Sequence, residues 1–344
     1  MEDFAVTQDQ MENVARTIYN FMPPTPQYNW PLLSQRVGTE VWVKHENHTP
    51  TGAFKIRGGL VYVDYLSGQR NRSFEFIAAT RGNHGQSVAT AASHKGFSSK
   101  IVVPEGNSKE KNRSMVAQGA EVLTYGKDFQ EAFEYATELS KSHNIHMFPS
   151  FHPLLVRGVA TYAWEVFKEI SDLDAVYVPI GLGSGVCGVI AARDLLGLKT
   201  EIIGVVAENA PAYSLSLKSG RLISTNSADT IADGLACRVP NDTALDIIKK
   251  SESRIVEVSE NQIRSAIRCF FTDTHNVAEG AGAATLAAVL KEKQKVESKR
   301  VAVILTGGNI DNSVYQDVLN EKLSLIHISE PTRPERIGDA LVWV

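Results

Sequence analysis

Short apolar runs alternate along the chain with longer stretches in which apolar residues recur every three or four positions. Runs such as EVWVKHE (40–46), FEFIAA (74–79) and KRVAVILTGG (299–308) are typical of strands buried on both faces. The stretches FKIRGGLVYVDYL and GQSVATAASHKG carry helical spacing, and Gly96 is expected to end the second helix. This alternation predicts an α/β fold in which helices cover both faces of a parallel sheet.

The same pattern predicts additional elements. Strands are expected at 99–104, 120–126, 145–150, 173–180 and 200–208. The stretch DFQEAFEYATELSKSH, between the second and third of these strands, has the period of an amphipathic helix.

Composition limits the class of protein. The chain has 344 residues, 43% of them hydrophobic, which is enough for one or two domains. Its 35 Lys and Arg residues nearly balance 39 Asp and Glu residues without a basic block, so we expect no nucleic-acid binding. No apolar run reaches the length of a membrane span, and the polar N-terminus does not resemble a signal peptide. We therefore expect a cytoplasmic protein without a membrane segment.

A glycine-rich segment, GLGSGVCG (181–188), follows the predicted strand AVYVPI and precedes a helical stretch. Glycines allow close approach of the backbone, and the N–H groups of a helix start bind anions, so this segment predicts a phosphate site. It also matches the pattern GxGxxG, and Glu208 ends the next strand, about where a ribose-binding acid would lie. From these residues alone, a dinucleotide and a cofactor with one phosphate monoester both remain open.

Two more loops follow predicted strands. TRGNHGQS (80–87) places several polar side chains where the next helix begins, and TGGN (306–309) ends a strand with a hydroxyl and an amide. Open α/β sheets bind ligands at the carboxyl ends of their strands, which favours a ligand site over ordinary turns for the first loop.

Lys55 stands at the start of a predicted helix, among small and apolar residues. The positive end of the helix dipole and desolvation both disfavour the ammonium form, so we expect a lowered pKa for this lysine. A neutral amine is what condensation with an aldehyde requires. Gly52 and Ala53 leave room for a flat ligand, which Phe54 is placed to contact.

The segment KHENHTPTGAFKIRGG around Lys55 resembles the lysine motif of the fold-type II pyridoxal-phosphate enzymes. The Lys-Ile-Arg order favours the branch of threonine/serine dehydratases and serine racemases over cysteine and threonine synthases, which usually read Lys-Asp-Arg. TIADGLA (230–236) and EGAGAATLAA (279–288) also resemble that branch, and the likeness extends from about residue 25 to 319.

The resemblance implies two parallel-type α/β domains, similar to the tryptophan synthase β chain, with the cofactor in the cleft between them. The large domain would comprise 1–73 and 152–322, and a small mobile domain would comprise 74–151. We expect 323–344 to be a tail, either native or a non-native extension. The resemblance also implies a homodimer, and we expect a catabolic role because no effector-binding domain follows.

For the cofactor, pyridoxal 5'-phosphate, the resemblance implies roles for Phe54, Lys55, Asn83, Gly181, Gly183, Ser184, Gly185 and Thr306. Lys55 would hold the cofactor covalently and remove the substrate α-proton. Asn83 would bind the 3-hydroxyl, the glycine-rich segment the phosphate, and Thr306 the pyridine nitrogen. The substrate α-carboxylate would bind to Thr80, Arg81, Gly82, Asn83 and His84.

The implied reaction is an α,β-elimination that converts L-threonine or L-serine to a 2-oxo acid and ammonia. Other readings remain open: a lyase for another 3-hydroxy amino acid such as 3-hydroxyaspartate, a serine racemase-like enzyme, a dinucleotide oxidoreductase or a non-catalytic vitamer carrier. They predict different substrates, a different cofactor or no turnover.

Three departures from the family pattern affect these expectations. Ala53 replaces the motif's serine, which removes one minor polar contact. Arg81 occupies the position of the second base of serine racemases; a guanidinium accepts protons poorly, so racemisation is disfavoured. Arg81 would instead bind a second anionic group of the substrate or form a salt bridge. Val206 and Ala212 stand where the family's cation site has acidic residues, so we expect no metal there.

Overall fold

A computed structural model describes residues 4–69, 74–170 and 172–321. The predicted tail, 323–344, lies outside the described residues. The strands are β1 (Gln27–Asn29), β2 (Glu40–His45), β3 (Glu75–Ala79), β4 (Ser98–Val103), β5 (Glu121–Thr124), β6 (His146–Met147), β7 (Ala175–Pro179), β8 (Glu201–Ala207), β9 (Arg254–Val258) and β10 (Arg300–Leu305).

At least one helix separates each pair of consecutive strands. The helices are α1 (Gln8–Tyr19), α2 (Pro31–Val37), α3 (Lys55–Ser67), α4 (Asn83–His94), α5 (Lys109–Ala117), α6 (Phe129–Ser142), α7 (Pro153–Glu169), α8 (Ser184–Leu195), α9 (Ala212–Ser219), α10 (Asp242–Lys250), α11 (Glu260–Thr274), α12 (Gly280–Lys291) and α13 (Asn312–Asn320). None of the helices in these ranges combines the length and apolar character needed to cross a membrane.

The strands form two sheets. The larger has the order β1-β2-β10-β7-β8-β9, and all its neighbours are parallel except β1, which pairs antiparallel with β2. The smaller has the order β5-β4-β3-β6 and is wholly parallel. The carboxyl ends of β10 and β7, at the centre of the larger sheet, are where a ligand is expected.

Helices cover both faces of the larger sheet, as parallel strands require. Residues of α2, α11 and α12 form the hydrophobic core on one face, and residues of α1, α7, α8 and α10 form it on the other. Beside the smaller sheet, α3 and α4 contribute to one apolar cluster and α6 to another. The alternating apolar pattern of the sequence therefore corresponds to two layered α/β units.

The fold class predicted from the sequence is confirmed, but two strands were missed. β1 has only three residues and runs antiparallel, and β9 (RIVEV) alternates half-buried with buried positions instead of forming a continuous apolar run. The four strands of the smaller sheet all fall within 74–151. The domain boundaries themselves stay a prediction.

Candidate active site

Lys55 is the first residue of α3 and follows a tight loop that begins at Thr49. The Thr49 hydroxyl accepts the Ala53 N–H and donates to the Ala53 carbonyl, both at 2.9 Å. Gly52 turns the chain with φ +67°, a conformation that side chains with a Cβ rarely adopt. The loop thus brings Lys55 to the first helical turn, as the sequence predicted.

Backbone hydrogen bonds fasten this loop to the residues that follow β10. The Phe54 N–H donates to the Thr306 carbonyl at 3.0 Å, and the Gly308 N–H donates to the Gly52 carbonyl at 2.9 Å. Since β10 lies between β2 and β7 in the larger sheet, Lys55 is held at the ligand-binding edge of its central strands. Thr306 itself is buried.

The Lys55 amine lies 5.0 Å from the centre of the Phe54 ring. Lys55 as a whole is partly accessible, but protein atoms surround its amine. This burial lowers the pKa of Lys55, and the negative charge of Glu279 acts in the opposite direction. The neutral amine is therefore favoured over a wider pH range than in an ordinary lysine. That state is needed for attack on a carbonyl carbon.

The glycine-rich segment connects β7 to α8. Gly183 caps α8 with φ +106°, and a Cβ on it would lie 2.5 Å from the Ala244 Cβ. A Cβ on Gly181 would lie 2.1 Å from the Gly234 carbonyl oxygen, so neither position admits a side chain. Ser184 and Gly185 begin the buried first turn of α8, whose N–H groups have no acceptor within the helix. This is the geometry of an anion site.

Tyr162 links the glycine-rich segment to the lysine loop. Its ring packs edge-on against Phe54, with centroids 6.0 Å apart, and its hydroxyl donates to the Gly185 carbonyl at 3.2 Å. Tyr162 is fully buried in α7. The predicted phosphate loop and the predicted cofactor-bearing lysine therefore belong to one site.

The predicted substrate loop, Thr80 to His84, comprises the connection from β3 to α4 and the first two residues of α4. Thr80 is buried and its hydroxyl accepts the Gly82 N–H at 3.1 Å. Because α4 begins at Asn83, the N–H groups of its first turn are available to an anion. Arg81 is exposed. The predicted substrate loop thus supplies backbone donors at a helix start.

His84 contributes a buried nitrogen to this site. Its Nε2 atom has no hydrogen-bond partner, and its ring packs edge-on against Phe148. Burial, aided by the charge of Lys55, lowers the pKa of His84 to about 3. The imidazole is therefore neutral at physiological pH.

Asn83 is hydrogen-bonded to two side chains to which sequence reasoning gave no role, Glu279 and Asn309. The Asn83 amide nitrogen donates to both Glu279 carboxylate oxygens, at 2.8 and 3.0 Å, and its oxygen accepts from Asn309 at 2.8 Å. Burial raises the pKa of Glu279, although the Asn83 hydrogen bond acts against it. Glu279 lay in a motif noted for its resemblance, but nothing local marked its side chain as part of a site.

The sequence-predicted residues fall into three groups. Phe54, Lys55 and Thr306 lie together at β10, the glycine-rich segment joins them through Tyr162, and Asn83 joins them through Asn309. Within the described ranges, no group of three or more His, Cys, Asp or Glu side chains is arranged to hold a metal ion.

Comparison with known proteins assigns this fold and site to a family. The family model for the pyridoxal-phosphate dependent enzymes matches residues 18–307, and the chain belongs to this family. It is 34% identical to the L-threonine ammonia-lyase of Thermotoga maritima over 92% of this chain and 79% of that protein. It is 31% identical to the biosynthetic L-threonine dehydratase of Haemophilus influenzae over 92% of this chain, spanning 63% of that protein.

A solved structure shows the same similarity. The processed form of threonine deaminase isoform 2 from Solanum lycopersicum superposes with a TM-score of 0.83 at 28% identity, covering 93% of this chain and 96% of that one. The predicted family and cofactor are thereby confirmed, and the dinucleotide alternative is wrong. Glu208, its candidate ribose-binding acid, is exposed and forms a salt bridge with Lys291 at 3.3 Å.

The residues present fit pyridoxal phosphate. Gly181 and Gly183 pack so closely against Gly234 and Ala244 that no Cβ fits, and this tight loop leads into the N-terminus of a 12-residue helix, whose free N–H groups suit a phosphate. Lys55 offers an amine whose burial favours the neutral form. The unpartnered His84 nitrogen also indicates that a ligand completes the hydrogen bonding of this site.

Proposed function

We propose that this protein is a pyridoxal-phosphate-dependent L-threonine ammonia-lyase that also accepts L-serine. It removes the β-hydroxyl by α,β-elimination and releases a 2-oxo acid and ammonia. The observation that carries this proposal is the Lys55 amine, whose pKa is lowered by burial and which lies in one site with a phosphate-type loop. Similarity to the L-threonine ammonia-lyase of T. maritima over most of both chains supports the substrate class.

The cofactor contacts divide among the elements already described. The first turn of α8, with Gly181, Gly183, Ser184 and Gly185, binds the phosphate through backbone N–H groups and the helix dipole. The Thr306 hydroxyl binds the pyridine nitrogen, Asn83 binds the 3-hydroxyl and Phe54 packs along the ring. When bound, the cofactor supplies an electron sink for the charge that develops at the substrate α-carbon.

Lys55 performs the proton transfer. Its amine would accept the substrate α-proton, and the backbone hydrogen bonds that fasten its loop to the end of β10 would keep it close to that carbon. The substrate α-carboxylate binds at the start of α4, where the N–H groups of 83 and 84 have no helical acceptor. The side chains of Thr80 and Arg81 flank this carboxylate site.

An acidic 3-hydroxy amino acid is a second candidate substrate. Arg81 is exposed in the carboxylate loop, and Lys111 runs alongside it, since a Cβ on Gly82 would lie 3.0 Å from the Lys111 Cδ. Two cations there favour a second carboxylate, although Lys111 already pairs with Asp233 at 2.7 Å. Turnover of 3-hydroxyaspartate above that of threonine would favour this alternative.

The test compares 2-oxo acid and ammonia release from L-threonine, L-serine and 3-hydroxyaspartate, with Lys55→Ala as the control. We expect 2-oxobutanoate from threonine and no product with the control. Borohydride reduction followed by peptide mass spectrometry is expected to find the cofactor on Lys55. An adduct on another side chain, or no turnover of any of the three substrates, would refute the proposal.

The proposal also includes the oligomeric state and the cellular location of the protein. We expect a homodimer acting in the cytoplasm on a small amino-acid substrate. Light scattering after size-exclusion chromatography measures the mass, which for a dimer is twice that of the 37.6 kDa chain.

A further inference from the structure

A chain of hydrogen bonds connects four residues that lie far apart in the sequence. The Asn309 amide nitrogen donates to the Thr51 carbonyl at 2.9 Å and to the Asn83 side-chain oxygen at 2.8 Å. The Asn83 nitrogen in turn donates to both Glu279 oxygens, at 2.8 and 3.0 Å. We call these four residues the amide relay.

The two ends of the amide relay fix the orientation of both amides. A backbone carbonyl only accepts hydrogen bonds, and so does a carboxylate. Asn309 must therefore turn its nitrogen toward Thr51, and Asn83 must turn its nitrogen toward Glu279. In the opposite orientation, the Asn83 oxygen would face the two carboxylate oxygens.

The geometry at Asn83 leaves one donor free for a ligand. Both Glu279 oxygens lie on the same side of the Asn83 nitrogen, whereas the two hydrogens on that nitrogen diverge. The carboxylate therefore takes one N–H, shared between its oxygens. The second N–H remains available.

Two glycines make room for the amide relay. A Cβ on Gly307 would lie 2.6 Å from a Glu279 carboxylate oxygen, and a Cβ on Gly52 would lie 2.6 Å from the Asn309 side-chain oxygen. Gly52 precedes Ala53 in the lysine loop, and Gly307 forms an antiparallel β-bridge with Ala53. The relay is thus built against the same backbone that holds Lys55.

The amide relay also joins the two α/β units. Asn83 begins α4 beside the smaller sheet, whereas Glu279 caps α12 on the larger one. Nearby, Ser108 donates to Asp311 at 2.5 Å and Lys111 pairs with Asp233 at 2.7 Å across the same junction. Asn83 is oriented by Glu279 only when the units are docked in this way.

We propose that Glu279 is a positioning residue: its carboxylate holds one N–H of Asn83 and leaves the other to donate to the 3-hydroxyl oxygen of pyridoxal phosphate. This inference rests on the proposed function for the identity of the cofactor contact. Without the carboxylate, the Asn83 amide loses its orientation and the cofactor loses a donor. The loss of one hydrogen bond to a charged group corresponds to weaker binding by about tenfold to a hundredfold.

The test measures the dissociation constant of pyridoxal phosphate from the apoprotein in a double-mutant cycle. Glu279→Gln, Asn83→Ala and the double variant are compared with the unmodified protein. We expect Glu279→Gln to weaken binding about tenfold when Asn83 is present, and by less than about twofold when it is replaced. A merely structural role would weaken binding equally in both backgrounds.

The matched control is Glu292→Gln. Glu292 is buried at the other end of α12, about 20 Å away along the helix axis, where it accepts from Tyr177 at 3.0 Å and Arg254 at 2.8 Å. It is expected to lower thermal stability without changing cofactor affinity. Glu279→Asp, which keeps the charge, is expected to restore part of the affinity and serves if the glutamine variant folds poorly.

Equal cofactor affinity in Glu279→Gln and the unmodified protein would overturn the inference, as would equal losses in the two Asn83 backgrounds. Failure of the proposed function gives a different result. The unmodified protein would then bind pyridoxal phosphate but release no 2-oxo acid, and the double-mutant cycle would still be measurable.

Discussion

Lys44 and Lys55 are both withdrawn from bulk water, but their surroundings differ in charge. Lys44 is 1% exposed and donates to a Glu165 oxygen at 2.6 Å and to the Thr25 carbonyl at 2.7 Å. Among the described residues, no carboxylate lies within salt-bridge distance of the Lys55 amine, which instead has the Phe54 ring beside it. Burial lowers the pKa of both lysines, and nearby carboxylates oppose it.

Lys44 belongs to a buried network that balances two cations with two anions. Arg57, fully buried, donates to Glu46 at 2.7 and 2.9 Å and to Glu165 at 2.6 and 3.0 Å. Although burial raises it, Arg57 and Lys44 together hold the pKa of Glu165 below its ordinary value. These four side chains therefore pair with one another inside the protein.

The two lysines differ in role: Lys44 belongs to a network that positions the backbone, whereas Lys55 carries the reactive amine. Arg57 and Lys55 share the first turn of α3, so the paired network anchors the backbone that carries the unpaired amine. A buried charge with hydrogen-bonded partners resists rearrangement, whereas a buried amine without one becomes neutral and nucleophilic. Replacing each lysine by methionine, which keeps an apolar side chain of similar length, tests this contrast.

Lys55→Met is expected to have the largest effect, on activity alone. Without the amine there is neither covalent attachment nor an α-proton acceptor, so 2-oxo acid release from threonine falls by at least about 10³-fold. The free energy of unfolding of the apoprotein, from urea denaturation, is expected to change by less than about 1 kcal/mol or to rise, since no ion pair is lost. A large loss of stability would show that the amine has a structural partner.

Lys44→Met is expected to reverse this pattern. Removing one partner from a buried ion pair leaves Glu165 short of a counter-charge, which costs about 3–5 kcal/mol in the free energy of unfolding. Activity per folded molecule is expected to survive to a larger extent than in Lys55→Met. Unchanged stability would mean that Arg57 alone suffices to neutralise Glu165.

The fold follows from the sequence to a large extent because the buried strands have a local signature. Strands such as β7 and β10 are nearly continuous apolar runs because helices cover both faces of the sheet, and such runs are distinctive in the sequence. β1 and β9 lack that signature, and each lies at an edge of the larger sheet, where it pairs with a single neighbouring strand. Their identity depends on tertiary contacts and not on residue pattern.

The residues of the candidate site that lie in short local motifs could be predicted from the sequence. Those that join the site through side-chain contacts between distant parts of the chain could not. Lys55, Gly183 and Asn83 stand in short motifs at strand ends, which local sequence reveals. Glu279 and Asn309 reach Asn83 across 196 and 226 residues, and a single acid or amide carries no sign of such a partner. Long-range hydrogen bonds of this kind appear only in the folded structure.

The pH dependence of cofactor attachment tests whether the pKa of Lys55 is lowered. The rate at which the apoprotein covalently attaches pyridoxal phosphate is expected to rise with pH as the amine deprotonates, with a midpoint below the value of about 10.4 for an ordinary lysine. Of the neighbouring groups, Glu279 on α12 is the anion that opposes this shift, whereas His84 on α4 is neutral.

Glu279→Gln is therefore expected to move the midpoint further down, since losing the negative charge removes a stabilising effect on the ammonium. The Glu292→Gln control is expected to leave the midpoint unchanged. A midpoint that rises in Glu279→Gln would contradict the sign of this interaction.

Lys218→Met is expected to have the smallest effect on stability. It tests whether the burial of Lys44, and not the length of its ion pair, determines how much that pair contributes to the free energy of unfolding. Lys218 pairs with Glu257 at 2.6 Å, the same separation as Lys44 and Glu165, but its side chain is 68% exposed. Water screens an exposed pair and already solvates each charge, so the free energy of unfolding is expected to change by less than about 1 kcal/mol. Urea denaturation of the two methionine variants side by side measures the contrast directly. Equal losses in both would mean that the contact distance, and not the loss of water around Lys44, determines what the ion pair contributes.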